Sequence, residues 1–133
     1  MIAVDASALV AILLGEPEAE SFTAILEDHE RAFVCPVSVY ETVAALVREL
    51  SCSVIDARAN LSDFLDDAGI AIASISPSDN EMALDAFDRY GKGRNPASLN
   101  MGDCYSYALA KAMRVPLLYK GNDFSRTDLD SAA

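Results

Sequence analysis

Residues 1–10, MIAVDASALV, limit the fold more than any other stretch of the chain. Ile2, Ala3 and Val4 are apolar with no polar alternation, the pattern of a strand covered on both faces. Asp5 ends the run. Ser7 then opens ALVAILL, long enough for a buried helix. A carboxylate therefore stands where a strand gives way to a helix. In open α/β sheets, ligands bind beyond the carboxyl ends of the strands. An unpaired buried charge is costly, so an acid there needs a role. Two roles fit: a cap for the helix that follows, or a functional group. Whether other acids fall at equivalent places separates them.

The strand-then-helix pattern repeats. Residues 18–30 read as a helix with Phe22, Ile25 and Leu26 on one face. Residues 32–36, AFVCP, form a second short apolar strand closed by proline, and residues 38–50 a helix carrying Val39, Val43, Leu46, Val47 and Leu50 at helical spacing. Residues 54–67 form a further helix stopped by Gly69, and residues 70–73 a third strand. Pro77 opens a helix through about Tyr90 at a position proline favours. A loop over residues 91–100 carries Lys92 and Arg94, residues 102–114 are helical, and residues 117–119 form the last strand. Alternation of this kind predicts an α/β fold in one domain over residues 1–133. Its sheet is mainly parallel, of four to five strands, with helices on both faces.

Composition narrows the function. A formal net charge of −11 makes the average surface repel nucleic acid, which argues against a simple charge-driven binder. It leaves room for an enzyme that holds phosphates through bound cations. The N-terminus has no basic stretch before its apolar run, and Asp5 interrupts that run, so a signal peptide is not expected. No apolar run approaches the ~20 residues of a membrane span. Cys35, Cys52 and Cys104 are widely spaced and form no CxxC pair, as expected of reduced thiols in a cytoplasmic protein.

Four acids occupy element boundaries. Asp5 follows the first strand, Glu41 lies in the first turn of the helix after the second, Asp103 opens the helix after the glycine-containing loop, and Asp123 follows the last strand. Singly, each has an ordinary explanation: helix-dipole complementation for Glu41 and Asp103, a turn for Asp123. Together they would meet at one edge of the sheet. Two carboxylates ~4 Å apart repel by roughly 4 kcal/mol at an effective dielectric near 20, so a convergent set must share protons or bind a cation. Oxygen donors with no His or paired Cys beside them favour Mg²⁺ or Mn²⁺ over Zn²⁺. The chemistry such a site supports is phosphoryl transfer.

These residues carry a family resemblance over nearly the full length. Val4-Asp5-Ala6-Ser7-Ala8, Glu41, Leu99-Asn100-Met101-Gly102-Asp103-Cys104, Tyr107-Ala108-Leu109-Ala110, the run from Pro116 to Phe124 and Thr127-Asp128-Leu129 together resemble a PIN-domain ribonuclease of the VapC toxin type. The ordered pair NxGDC and KGNDF is its most specific part. The resemblance implies a metal-dependent endoribonuclease toxin, commonly dimeric and neutralised by a cognate VapB-type antitoxin whose C-terminal segment reaches the active site. It matches Asp5, Glu41 and Asp103 to the core metal-binding acids and Asp123 to a fourth. Asn122 and Asp128 are alternatives at that end, and Asp128 is expected to brace the C-terminal turn. It further implies in-line attack of water on an RNA phosphodiester, with 5′-phosphate and 3′-hydroxyl products and transfer RNA among the substrates. Arg89, Lys92, Arg94 and Lys120 are the basic groups near the motifs, and Tyr40 and Tyr105 the aromatic ones. Two other readings compete: a different magnesium-dependent phosphoryl-transfer or receiver-like domain, and a non-catalytic interaction module on the same fold. Against the first, Asp5-Ala6-Ser7 lacks the second acid of a DxD phosphatase.

Overall fold

A computed structural model describes all 133 residues. Four short strands, β1 (Ile2–Val4), β2 (Ala32–Val34), β3 (Ile70–Ile72) and β4 (Leu117–Leu118), form one sheet in the order β3-β2-β1-β4. Every pairing is parallel, with Ile2 opposite Ala32, Ala32 opposite Ile70 and Ala3 opposite Leu117. The expected mainly parallel sheet is thus wholly parallel, at the lower strand count. β1 is internal, and Ile2, Ala3 and Val4 are each 0% exposed, which is why the run has no polar alternation.

Six helices cover the sheet: α1 (Ala6–Leu13), α2 (Ala19–Glu27), α3 (Pro36–Leu50), α4 (Val54–Ala68), α5 (Pro77–Tyr90) and α6 (Met101–Met113). Two apolar clusters divide the strands between them. Ile2, Val4, Val34 and Leu118 pack with Leu9, Phe22, Leu46, Leu61 and Leu65 from α1–α4. Ala3 and Leu117 face the other way, onto Ala83, Ala86, Tyr107 and Ala108 of α5 and α6. Alternate residues of one strand therefore serve two cores. The tail runs along the outer edge of β4, where the Leu117 N–H donates to the Asp130 carbonyl (3.0 Å) and the Ala132 N–H to the Leu117 carbonyl (3.0 Å). That covers an edge that would otherwise offer unpaired backbone groups.

The chain lays β1, β2 and β3 outward in one direction, then returns through α6 to place β4 on the opposite side of β1. The reversal makes the carboxyl ends of β1 and β4 the switch point where ligands bind in open sheets. Two boundaries differ from expectation. Pro36 is the first residue of α3, not the end of β2, because its missing N–H is one a helix does not use there. Glu41 consequently lies in the second turn of α3. α2 ends at Glu27, and His29 Nδ1 lies 2.7 Å from the Ile25 carbonyl just beyond its end.

Candidate active site

Asp5 is 4% exposed at the end of β1 and takes the capping role. As N-cap of α1 its Oδ2 accepts from the Ser7 N–H (3.0 Å) and the Ser7 hydroxyl (2.6 Å). Its Oδ1 accepts from Ser106 of α6 (2.5 Å). The Lys120 N–H donates to Ser7 Oγ (3.0 Å), tying the turn after β4 to this network. Ser38 Oγ lies 3.0 Å from Ser106 Oγ. The single Ser106 proton is already given to Asp5, so Ser38 is the donor to Ser106. Thr42 in turn donates to the Ser38 carbonyl (2.7 Å).

Glu41 projects from α3 onto the first turn of α6. A Cβ at Gly102 would overlap its carboxylate, so the glycine makes the cradle in which Glu41 rests. From the second turn of α3, Glu41 is too far along to complement that helix's dipole, an effect confined to the first turn. It faces the positive end of α6 instead. Burial, then the charge of Asp5, raises its pKa.

Asp103 is the third residue of α6. It completes a capping box: its Oδ2 accepts from the Asn100 N–H (3.1 Å), while Asn100 Oδ1 accepts from the Asp103 N–H (2.8 Å). Burial lifts its pKa to about 7, helped by the charges of Asp5, Asp123 and Glu41 and opposed by the Asn100 hydrogen bond. One carboxylate thus senses the other three.

Asp123 precedes a 3₁₀ turn (Phe124–Arg126), exposed and making no side-chain hydrogen bond. Phe124 beside it is buried against the Tyr119 ring, centroids 5.0 Å apart, which anchors the turn. The Asn122 backbone carbonyl accepts from the Ser125 hydroxyl (2.6 Å). Asp128 is engaged elsewhere: it accepts from Tyr107 (2.6 Å) and pairs with Lys111 (2.9 Å). Burial works to raise its pKa, but those bonds and the Lys111 and Arg89 charges bring it down to about 2. It braces the C-terminal segment, as its sequence position suggested.

No ion pair reaches Asp5, Glu41, Asp103 or Asp123; Lys120 spends its ammonium on Glu16 (3.1 Å) and Glu18 (3.3 Å). As placed, no three His, Cys, Asp or Glu side chains close into a metal-holding group. The acids lie within range of one another's charge without sharing a coordination sphere. Their chemistry nevertheless suits a hard cation: all donors are carboxylate oxygens, no cationic side chain compensates them, and the Gly102 cradle leaves Glu41 unbonded.

Sequence reasoning passed over Ser38 and Ser106. A signal was present, for Ser38 precedes Glu41 by three residues and Ser106 follows Asp103 by three, so each serine shares a helix face with its acid. Beside the acids, a groove of about 660 Å³ runs between α1, α3 and the turn after β4, lined by Ser7, Tyr40, Glu41, Arg48 and Lys120.

Residues 2–129 match the PIN domain family. Ribonuclease VapC30 of Mycobacterium tuberculosis is 41% identical over 130 residues, spanning 98% of this chain and 97% of the relative. A VapC ribonuclease of Rhizobium meliloti is 40% identical over 138 residues, spanning 95% and 97%. Among solved structures, Mycobacterium tuberculosis VapC20, described as a sarcin–ricin loop cleaving toxin, aligns with a TM-score of 0.77 at 15% identity over 97% of this chain and 96% of its own. A toxin–antitoxin complex from Klebsiella pneumoniae aligns at 0.72 and 16% identity over 96% and 93%. The chain belongs to the PIN-domain family, within its VapC ribonuclease group.

Proposed function

We propose that the protein is an endoribonuclease toxin that hydrolyses RNA phosphodiester bonds at a divalent-metal site formed by Asp5, Glu41, Asp103 and Asp123, and that an antitoxin neutralises it. One observation carries the reading: burial, with the charges of the other three acids, raises Asp103 to about 7, and no basic side chain pairs with any of the four. Mg²⁺ or Mn²⁺ held by these carboxylates would supply the missing positive charge, lower the pKa of water and neutralise charge on the attacked phosphate.

The protein's own groups set the geometry. Asp5 is fixed by donors on both oxygens: Oδ2 takes two hydrogen bonds from Ser7, and Oδ1, with one from Ser106, keeps a lone-pair direction for an ion. Glu41 is held over the α6 N-terminus, and the capping box aims Asp103. Asp123 stands on a turn anchored by Phe124, near enough for its charge to act on Asp103. Water adds in line to phosphorus, the bond to the 3′ oxygen breaks, and that oxygen takes a proton, leaving a 5′-phosphate and a 3′-hydroxyl.

An apolar trough of about 760 Å³ between α3 and α4, lined by Val39, Val43, Val47, Leu61 and Leu65, adjoins the acidic groove through Tyr40 and Ala44. It suits an amphipathic antitoxin segment. Leu84, Phe87 and Met101 form an exposed apolar patch on α5 and α6, the surface proposed for a homodimer.

The test is incubation of purified antitoxin-free protein with total RNA, including transfer RNA, in Mg²⁺, Mn²⁺ or chelator. Cleavage in metal, absent in chelator and absent for a folded Asp103→Asn variant, supports the reading. Chelator-resistant cleavage, or wild-type turnover by the variant, contradicts it.

A further inference from the structure

Resting on the ribonuclease reading, we propose that Tyr40 is a substrate-positioning residue: an RNA base stacks on its ring beside the acids, and Arg48 takes a phosphate farther along α3.

The structure sorts the basic and aromatic groups near the motifs by what they already hold. Arg94 pairs with Asp88 (2.9 Å), and Arg89 lies beside Tyr90 and Asp128. Lys120 bridges Glu16 and Glu18, and Tyr105 is half-buried with its hydroxyl on Asn80. Tyr40 is different. It is 78% exposed, engages in no hydrogen bond or ring contact, and lines the groove next to Glu41. A large aromatic ring left in water beside an acidic centre is surface that folding did not use.

The α3 helix continues that surface. Tyr40, Ala44 and Arg48 fall at successive steps of four, so they share one face. Two steps span about 12 Å of helix axis. Ala44 and Ala45 are too small to fill the space between, leaving a shelf with a ring at one end and a guanidinium at the other. Arg48 holds only its neighbour Glu49 (3.1 Å), both side chains at least half exposed, a pairing that contributes little and is readily exchanged for a phosphate.

Energetics favour RNA as the occupant. A chain of net charge −11 gains little from general attraction to polyanions. Stacking is the contribution that survives this, because every base offers a π-face and the contact carries no net charge. A protein segment in the apolar trough could also touch Tyr40, but Arg48, Lys120 and the acids make this side of the ring polar.

The experiment measures cleavage of a single-stranded RNA oligonucleotide by wild type, Tyr40→Ala, Tyr40→Phe and Arg48→Ala, with binding followed by anisotropy in the inactive Asp103→Asn background. Tyr40→Ala is expected to raise KM on the order of 10-fold with kcat nearly unchanged, and Tyr40→Phe to behave as wild type. Arg48→Ala is expected to lower the salt dependence of binding by about one phosphate contact. Unchanged KM and binding for Tyr40→Ala, in a wild type that cleaves, overturns this inference alone. So does loss only of inhibition by a purified antitoxin, which would assign the ring to a protein partner. A wild type that neither cleaves nor binds RNA overturns both readings.

Discussion

At the scale of single residues, the site depends on one absent side chain and two hydroxyls. Gly102 leaves the space that the Glu41 carboxylate fills. An alanine there would meet the far end of a flexible side chain, which can swing away cheaply. Gly102→Ala is therefore expected to keep or slightly raise the melting temperature, since alanine favours a helix by up to about 1 kcal/mol over glycine. It should also lower RNA cleavage to the level of Glu41→Ala, as calorimetry and kinetics on both variants would check. Ser106 is the donor to Asp5 Oδ1, with Ser38 behind it. Removing an outer partner of a metal ligand costs roughly 10- to 100-fold in metal affinity. Ser106→Ala should weaken Mn²⁺ binding by at least the lower figure, and unchanged binding would rule out its orienting role. The four acids could be picked out in sequence because their residue type and boundary positions were unusual. The spacing of Ser38 and Ser106 put each on the helix face of an acid, but did not show which acid it serves: Ser106 bonds Asp5, 101 residues away in sequence.

At the scale of elements, the boundaries that mattered were set by capping chemistry. Asn100 and Asp103 form a reciprocal capping box that starts α6 at Met101, one residue before the expected 102. Pro36 was ambiguous: proline closes a strand or opens a helix equally well, and reading it as a closure put Glu41 one turn too early. The last element is held by Asp128, which takes Tyr107 and Lys111 and so ties the turn carrying Asp123 to α6. Its pKa is lowered to about 2. A lowered carboxylate pKa stabilises the fold above its ordinary value near 4, and that contribution is lost as pH falls toward 2. Because the group is partly exposed, Asp128→Asn should cost only about 1 kcal/mol at pH 7 in chemical denaturation, with the difference from wild type shrinking below pH 4.

For the whole molecule, the unbroken apolar strand at the N-terminus made the parallel sheet legible, and the reversal at β1 placed the site. Sequence could not show which charges are already spent. Of the four basic groups near the motifs, Arg89, Arg94 and Lys120 are committed to carboxylates of this chain. The site's electrostatic load also has a global consequence. Asp103 holds its proton in the folded state to about 7 and in the unfolded chain only to its ordinary value near 4. Between those values the folded form binds more protons, so stability of the metal-free protein should fall as pH rises from about 4 to 7. Asp103→Asn should flatten that slope and, after discounting for partial exposure, stabilise the metal-free protein at pH 8 by roughly 2 kcal/mol. Thermal melts across pH for both proteins check the sign, and a wild-type stability that rises over this window would contradict it.

Four carboxylates with no cationic partner are the core of the proposed metal site. Its most direct test is titration of the metal-free protein with Mn²⁺, followed by electron paramagnetic resonance, for wild type and for Asp5→Asn, Glu41→Gln, Asp103→Asn and Asp123→Asn. Saturable binding by wild type is expected, weakened by each substitution, with Asp5→Asn and Asp103→Asn the most severe. Wild-type binding that survives all four substitutions unchanged, or no binding by folded wild type, would contradict it.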